Sequence, residues 1–229
     1  MKFTALILTL FLVAVTAAGQ VTTLKNDIPE SQYLAAEAKA AGILKTANYR
    51  SVWTKEYFED RAKAATLQER TLIELIPPDK RRIVDEKFYD KPSRVERIWV
   101  DKALFEKRND EPWQKYSGGT GINQRIESGQ VKNQFRYLPA IDLEGETTNF
   151  YELVSTRTAN KFSQNGYAIV KYIRTTRTWY SLDGKLLKEI EETMIEGQEE
   201  MLRETTIYKY NPKYLKIEAP EMKCDTPRC

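Results

Sequence analysis

Histidine is absent from this chain of 229 residues, and that one gap removes a good deal of chemistry. Imidazole is the commonest general base near neutral pH, the commonest zinc ligand and the usual activator of Ser or Cys nucleophiles. Only two cysteines occur, Cys224 and Cys229, both in the C-terminal tail. In an exported chain a local disulfide is the default reading, and so small a loop adds little stability. Pairing with a second molecule is the other option; a metal site would need soft or imidazole ligands that the tail lacks. Neither sign of charge dominates, with 36 Lys and Arg against 33 Asp and Glu and a net charge of +3. Charges so interspersed make a solvated surface, not a footprint for nucleic acid. The triplet Lys80-Arg81-Arg82 reads as the exposed start of a strand after Pro77-Pro78-Asp79.

Long apolar runs are also missing, apart from one at the N-terminus. MKFTALILTLFLVAVTAAGQ has a single Lys, an apolar core from Ala5 to Val15, and small residues Ala17-Ala18-Gly19 before Gln20. That order is the pattern of a secretory signal peptide with cleavage before Gln20. The core is too short for a permanent membrane anchor, and no Cys stands near the cut to carry a lipid. Removal of residues 1–19 would leave 210, enough for one domain spanning 20–220, with a cysteine-containing tail over 221–229. The mature chain is expected in the periplasm or outside the cell, with no transmembrane anchor.

What is present is mostly strand. Asp27-Ile28-Pro29-Glu30 resembles a capped helix start, and Leu34, Ala38, Ala41 and Leu44 recur at turn spacing on an alanine-rich face to about Lys45. Then the period changes. Tyr49–Phe58, Leu67–Ile76, Arg81–Asp90, Arg94–Asp101 and Ala103–Arg108 are five strand candidates with turn signals between them, an antiparallel meander rather than βαβ units. Ser117 to Gly121 is a glycine loop without the Lys-Ser/Thr of a phosphate cradle. Ile126–Leu143 has scattered apolar residues and fits a short helix or an ordered loop. Thr148–Thr158 returns to strand character, and Asn165-Gly166 turns into Tyr167–Ser181, which is β-branched and aromatic.

Asp183-Gly184 is the best turn signal, of the type I′ hairpin kind, because Gly accepts a positive φ. Leu186, Leu187, Ile190 and Met194 beyond it fall at helical spacing. A strand is the better reading, since it sets Lys188 and the acidic run Glu189–Glu192 beside Arg174, Arg177 and Thr176. Glu196-Gly197-Gln198 turns again into Thr205–Tyr210, which Asn211-Pro212 ends. Several strands carry apolar residues on both alternations, Ile98 and Val100 against Val95 and Trp99, so parts of both sheet faces should be covered. The fold class is α+β: a large curved antiparallel sheet, an incomplete β-barrel of about ten strands, with an N-terminal helix and a helix or loop lid.

Several features carry a resemblance: Pro78-Asp79 before a strand, Trp113 after the fifth strand, Trp179 ahead of Asp183-Gly184, and the close Ile217-Glu218-Ala219-Pro220. From Tyr49 to Pro220 the chain resembles the LolA/LolB-like superfamily of exported half-barrel proteins. The resemblance implies an acyl chain held in the concavity under helical lids. It places no carrier-specific residue on a matching position.

Candidate ligand-lining residues are the aromatics Trp53, Tyr57, Trp99, Phe105, Trp113, Tyr172 and Trp179. They would line an apolar concavity taking a lipid or similar ligand. The plainer reading, which the residue types favour, is that they fill the core. Without His an enzyme must use carboxylates, and Glu69, Glu74, Asp85 and Glu96 are available but nothing singles them out. Solvated strand faces and ion pairs explain them better. No cofactor, metal or catalytic residue is therefore expected. The partners expected are a lipid or other apolar ligand, or an envelope protein docked on a sheet edge or on the tail.

Overall fold

The structure is a computed structural model that describes residues 26–116, 130–163, 166–213 and 215–222. The signal segment, the Ser117–Gly121 loop, the start of the expected lid, the Asn165 turn position and both cysteines lie outside the described residues.

Among the described residues one helix, α1 (Glu30–Thr46), precedes a single antiparallel sheet. Its strands are β1 (Tyr49–Phe58), β2 (Thr66–Ile76), β3 (Lys80–Lys87), β4 (Ser93–Val100), β5 (Ala103–Arg108) and β6 (Gln114–Tyr116), then β7 (Gln130–Leu143), β8 (Glu146–Ser163), β9 (Gly166–Ser181), β10 (Leu186–Ile195) and β11 (Met201–Tyr210). Their spatial order is β6-β5-β4-β3-β2-β1-β11-β10-β9-β8-β7, so β6 and β7 are edges and the barrel is not closed. Two meanders, β1–β6 and β7–β11, are joined along a seam where Tyr49 pairs with Tyr210 and Phe58 with Met201. The architecture is the open half-barrel with an N-terminal helix that the sequence implied.

The segment after Asp183-Gly184 is a strand, with Glu192 opposite Thr175 and Arg203. The turn itself is not type I′. Only Gly184 has positive φ, at 94°, and its N–H donates to the Ser181 carbonyl. Residues 181–184 form a tight turn, and the register then shifts between Leu186 and Lys188 in the manner of a bulge. A Cβ at Gly184 would lie 2.5 Å from Cε of Lys39, the end of a flexible side chain that can move aside, so the positive φ is what calls for glycine.

Three other expectations change. From Gln130 on, the supposed helix or loop is β7, an edge strand with a register irregularity between Leu138 and Ile141, around Pro139 and a positive φ at Ala140. An edge tolerates proline because one side of the strand needs no ladder donor. Asp27 does not cap α1; Pro29 holds the cap position without a side-chain bond. Asp27 is instead drawn into a β-bridge with Arg136, where the Ile28 N–H donates to the Phe135 carbonyl. Finally, the inward face of α1 is rotated: Leu44 packs inward as expected, but Tyr33, Ala36 and Ala40 join it in place of Leu34, Ala38 and Ala41, and Leu34 is 49% exposed.

Residues paired across strands share a face, and alternate residues take the other. On the helix side α1 covers the β7–β11 half, with Tyr33 against Phe135 (5.2 Å between ring centroids) and Tyr151 (6.2 Å), and Ala40 packed with Tyr180 and Leu186. On the far side the segment after β11 crosses to the other half. Its Ile217, 2% exposed, packs into Ile98, Val100 and Phe105, with Trp113 and Met222 alongside. The far-side alternation of β4, Ile98 and Val100, is thereby covered, while Val95 and Trp99 lie on the helix side.

Candidate ligand-binding face

The helix side of the β1–β6 half carries an apolar row running across the strands. Strand register puts Tyr210, Tyr49, Leu75, Arg81, Trp99, Leu104 and Tyr116 side by side on β11, β1, β2, β3, β4, β5 and β6. At the usual strand spacing, that row is roughly 29 Å long. Short turns set it: Pro77-Pro78-Asp79 brings Leu75 opposite Arg81, and the two-residue turn Asp101-Lys102 brings Trp99 opposite Leu104. Tyr49 packs its ring near Tyr208 (5.9 Å) and Tyr210 (6.3 Å), which joins the row to the aromatic floor under α1. Leu104 is buried, Tyr116 is 42% exposed, and the other members are half-buried.

The face grows polar away from this row. One register step on lie Tyr208, Ser51, Ile73, Ile83 and Arg97; further on lie Asp85, bonded to Arg97 (2.7 Å), and the Lys55–Glu69 pair (3.8 Å). Under the helix, burial pushes the Tyr33 and Tyr208 phenols well above their ordinary range and Tyr180 up to about 12. Burial raises Glu189 too, and Glu191, Glu37 and Glu204 add to that by repulsion. Tyr49 is raised by burial, with the Arg81 guanidinium opposing the shift. These shifts describe a desolvated floor that keeps its phenols neutral.

The far side differs. There Arg203, Glu192, Arg177, Glu152 and Arg136 alternate across β11 to β7, with nitrogen–oxygen distances of 2.7 to 3.2 Å. A second chain links Arg50, Glu74, Arg82, Glu96 and Arg94 across β1 to β4.

The predicted aromatics divide between the faces. Trp53, Tyr57, Trp99 and Tyr172 are on the helix side, Trp99 in the row itself and Trp53 donating its indole N–H to Glu204 (3.2 Å). Phe105 and Trp113 belong to the cluster around Ile217, and Trp179 faces the far side against Phe150, at 5.1 Å. The structure therefore does not gather the seven around one concavity. Sequence reasoning passed over Tyr49, Leu75, Arg81, Leu104, Tyr116 and Tyr210; counting residues outward from each short turn is the signal that aligns them.

The candidate carboxylates do not converge. Glu69 accepts from the Tyr89 hydroxyl (3.0 Å) and Asp85 from Thr71 (2.8 Å) on the helix side, while Glu74 and Glu96 lie on the far side between arginines. Among the described residues no group of His, Cys, Asp and Glu is arranged to hold a metal. A shallow open depression at the β5–β6 edge, lined by Glu106, Arg108, Glu111, Pro112, Gln114 and Tyr116, is mostly polar-walled and too small for a ligand site.

No protein-family model matches the sequence, and no curated protein does. Among solved structures the chain is similar to LprF from Mycobacterium bovis, at 9% identity over 83% of this chain and 98% of that one, with a TM-score of 0.40. It is also similar to a domain described as outer membrane lipoprotein-sorting, from Vibrio parahaemolyticus, at 11% identity over 79% and 91% of the two chains, with a TM-score of 0.26. Among the described residues no helix is long and apolar enough to cross a membrane.

Proposed function

We propose that this chain is an exported, non-enzymatic binding protein that lays a lipid, acyl chain or other apolar ligand along the row from Tyr210 to Tyr116. Residues 1–19 act as the signal peptide and 20–220 as one binding domain. The observation that carries the reading is the contrast between halves of the helix side. Under α1 the floor is filled by the helix, whereas over β1–β6 the half-buried Tyr49, Leu75 and Trp99 form an apolar track interrupted only by Arg81. Burying such a track beneath an acyl chain contributes about 25 cal/mol per Å².

The test is uptake of a fluorescent fatty acid by folded, monomeric protein, together with native mass spectrometry of protein from its own host. Binding that weakens severalfold in Trp99→Ala supports the proposal; no uptake by folded monomer removes it. A second reading, docking of an envelope protein on the sheet edge, draws on β7, which is bridged at Arg136 by Asp27 and presents Val131 at 55% exposure. Co-purification with a stable partner and without lipid would favour it.

A further inference from the structure

We propose that Arg81 is the headgroup anchor of the row, so that the ligand is an amphiphile with a carboxylate or phosphate head and an apolar tail. This rests on the binding reading above and specifies its ligand class.

Arg81 is an exception among its neighbours. Arg82, next in the chain but on the far side, meets both Glu74 (3.2 Å) and Glu96 (2.7 Å). Arg97, one strand over on the helix side, meets Asp85 (2.7 Å) and Glu106 (2.8 Å). Among the described residues no carboxylate lies within ion-pair distance of Arg81; its contact is the Trp99 ring, with the guanidinium carbon 5.5 Å from the centroid. The Arg81 guanidinium lies between Leu75 and Trp99, with N–H groups that reach water and meet no protein acceptor among the described residues. The cation–π contact with Trp99 makes no hydrogen bond to the guanidinium. The N–H fork in the guanidinium plane is left for a planar or tetrahedral oxyanion, which it can grip through two parallel bonds.

Position agrees with chemistry. Arg81 sits at the middle strand of the row, three strand steps from Tyr210 and three from Tyr116. A head held there has roughly 14 Å of apolar track on either side for its tail. The Tyr210 direction leads toward the aromatic floor under α1, where Tyr49 and Tyr208 are ring neighbours.

The experiment compares a dansylated undecanoic acid with its methyl ester, on full mature protein, in wild type and in Arg81→Gln and Arg81→Lys. The wild type should bind the acid about tenfold tighter than the ester, the scale of a hydrogen bond to a charged group. Arg81→Gln should erase that preference, and Arg81→Lys should keep part of it, having the charge without the fork. Acid and ester binding equally to wild type would overturn Arg81's role while leaving the apolar track standing. Inorganic phosphate displacing the acid as well as a fatty acid does would make this a free-anion site and overturn the amphiphile. Binding of neither probe would remove the track and the anchor together.

Discussion

Glu192 offers the sharpest check on the far-side chain of ion pairs. Its Oε1 accepts from Nε (2.9 Å) and Nη2 (2.7 Å) of Arg203, and its Oε2 from Nη1 of Arg177 (2.9 Å). The carboxylate side chain is 12% exposed, and the two arginines are 34% and 33% exposed. Glu192→Gln keeps the shape but turns one oxygen into a donor facing a donor. Fully buried, such a break costs about 3–5 kcal/mol. Because both guanidinium groups reach water, about 2–3 kcal/mol is the expected loss at pH 7. Burial pushes the Glu192 carboxyl up, and Arg203 and Arg177 more than offset that, leaving it below its ordinary 4.5. A lowered folded-state pKa means stability that is present above the unfolded value and lost as pH falls through the folded one. The wild-type advantage should therefore hold at pH 7 and shrink below pH 4.5. Urea unfolding of both proteins at stepped pH reads this directly, since other carboxylates cancel in the difference. A loss under about 0.5 kcal/mol at pH 7, or one unchanged in acid, would refute the account.

Two further tests address the covers of the sheet. Ala40→Leu pushes a larger side chain against Tyr180 and Leu186, and should cost about 1–3 kcal/mol by overpacking, read as a lowered thermal midpoint. Ile217→Ala empties the middle of the Ile98, Val100 and Phe105 cluster and should cost about 2–5 kcal/mol in chemical denaturation; a near-zero effect would mean the crossing segment does not hold that face.

Much of the fold was legible because turns punctuate it. Tyr49–Phe58 and Ala103–Arg108 have the ends that composition and flanking turns predict, and the strand beyond Gly184 was settled by its charge pairing with β9. The misses have local causes. In β7, Pro139 and the irregularity beside it blur the alternation of Val131, Asn133, Phe135 and Tyr137 into apparent scatter. In α1, alanines on every side make the apolar face hard to orient, and Tyr33, the one large residue the floor takes in, decides the rotation. Asp27 has the residue type of a cap, but its backbone neighbours Asn26 and Ile28 bond to Tyr137 and Phe135 of the edge strand. For the site, residue type announced that aromatics matter and could not say which face each takes. A one-residue change in register moves a side chain to the opposite face, so Trp99 and Phe105 part company although only six positions separate them.

The two faces also explain each other. Where the described residues leave half of one face uncovered, the open sheet lacks the second layer that usually holds strands in place. Cross-strand charge pairs on the far side supply a substitute, linking β11 to β7 and β1 to β4 while leaving the helix side free of those arginines. That assignment of charge also fixes where an apolar ligand can lie. On the far side it would have to strip water from guanidinium groups already committed to carboxylates, a cost no tail can repay. On the helix side the row presents a single guanidinium, Arg81, already beside the Trp99 ring, and a ligand that brings its own anion turns that one cost into a bond.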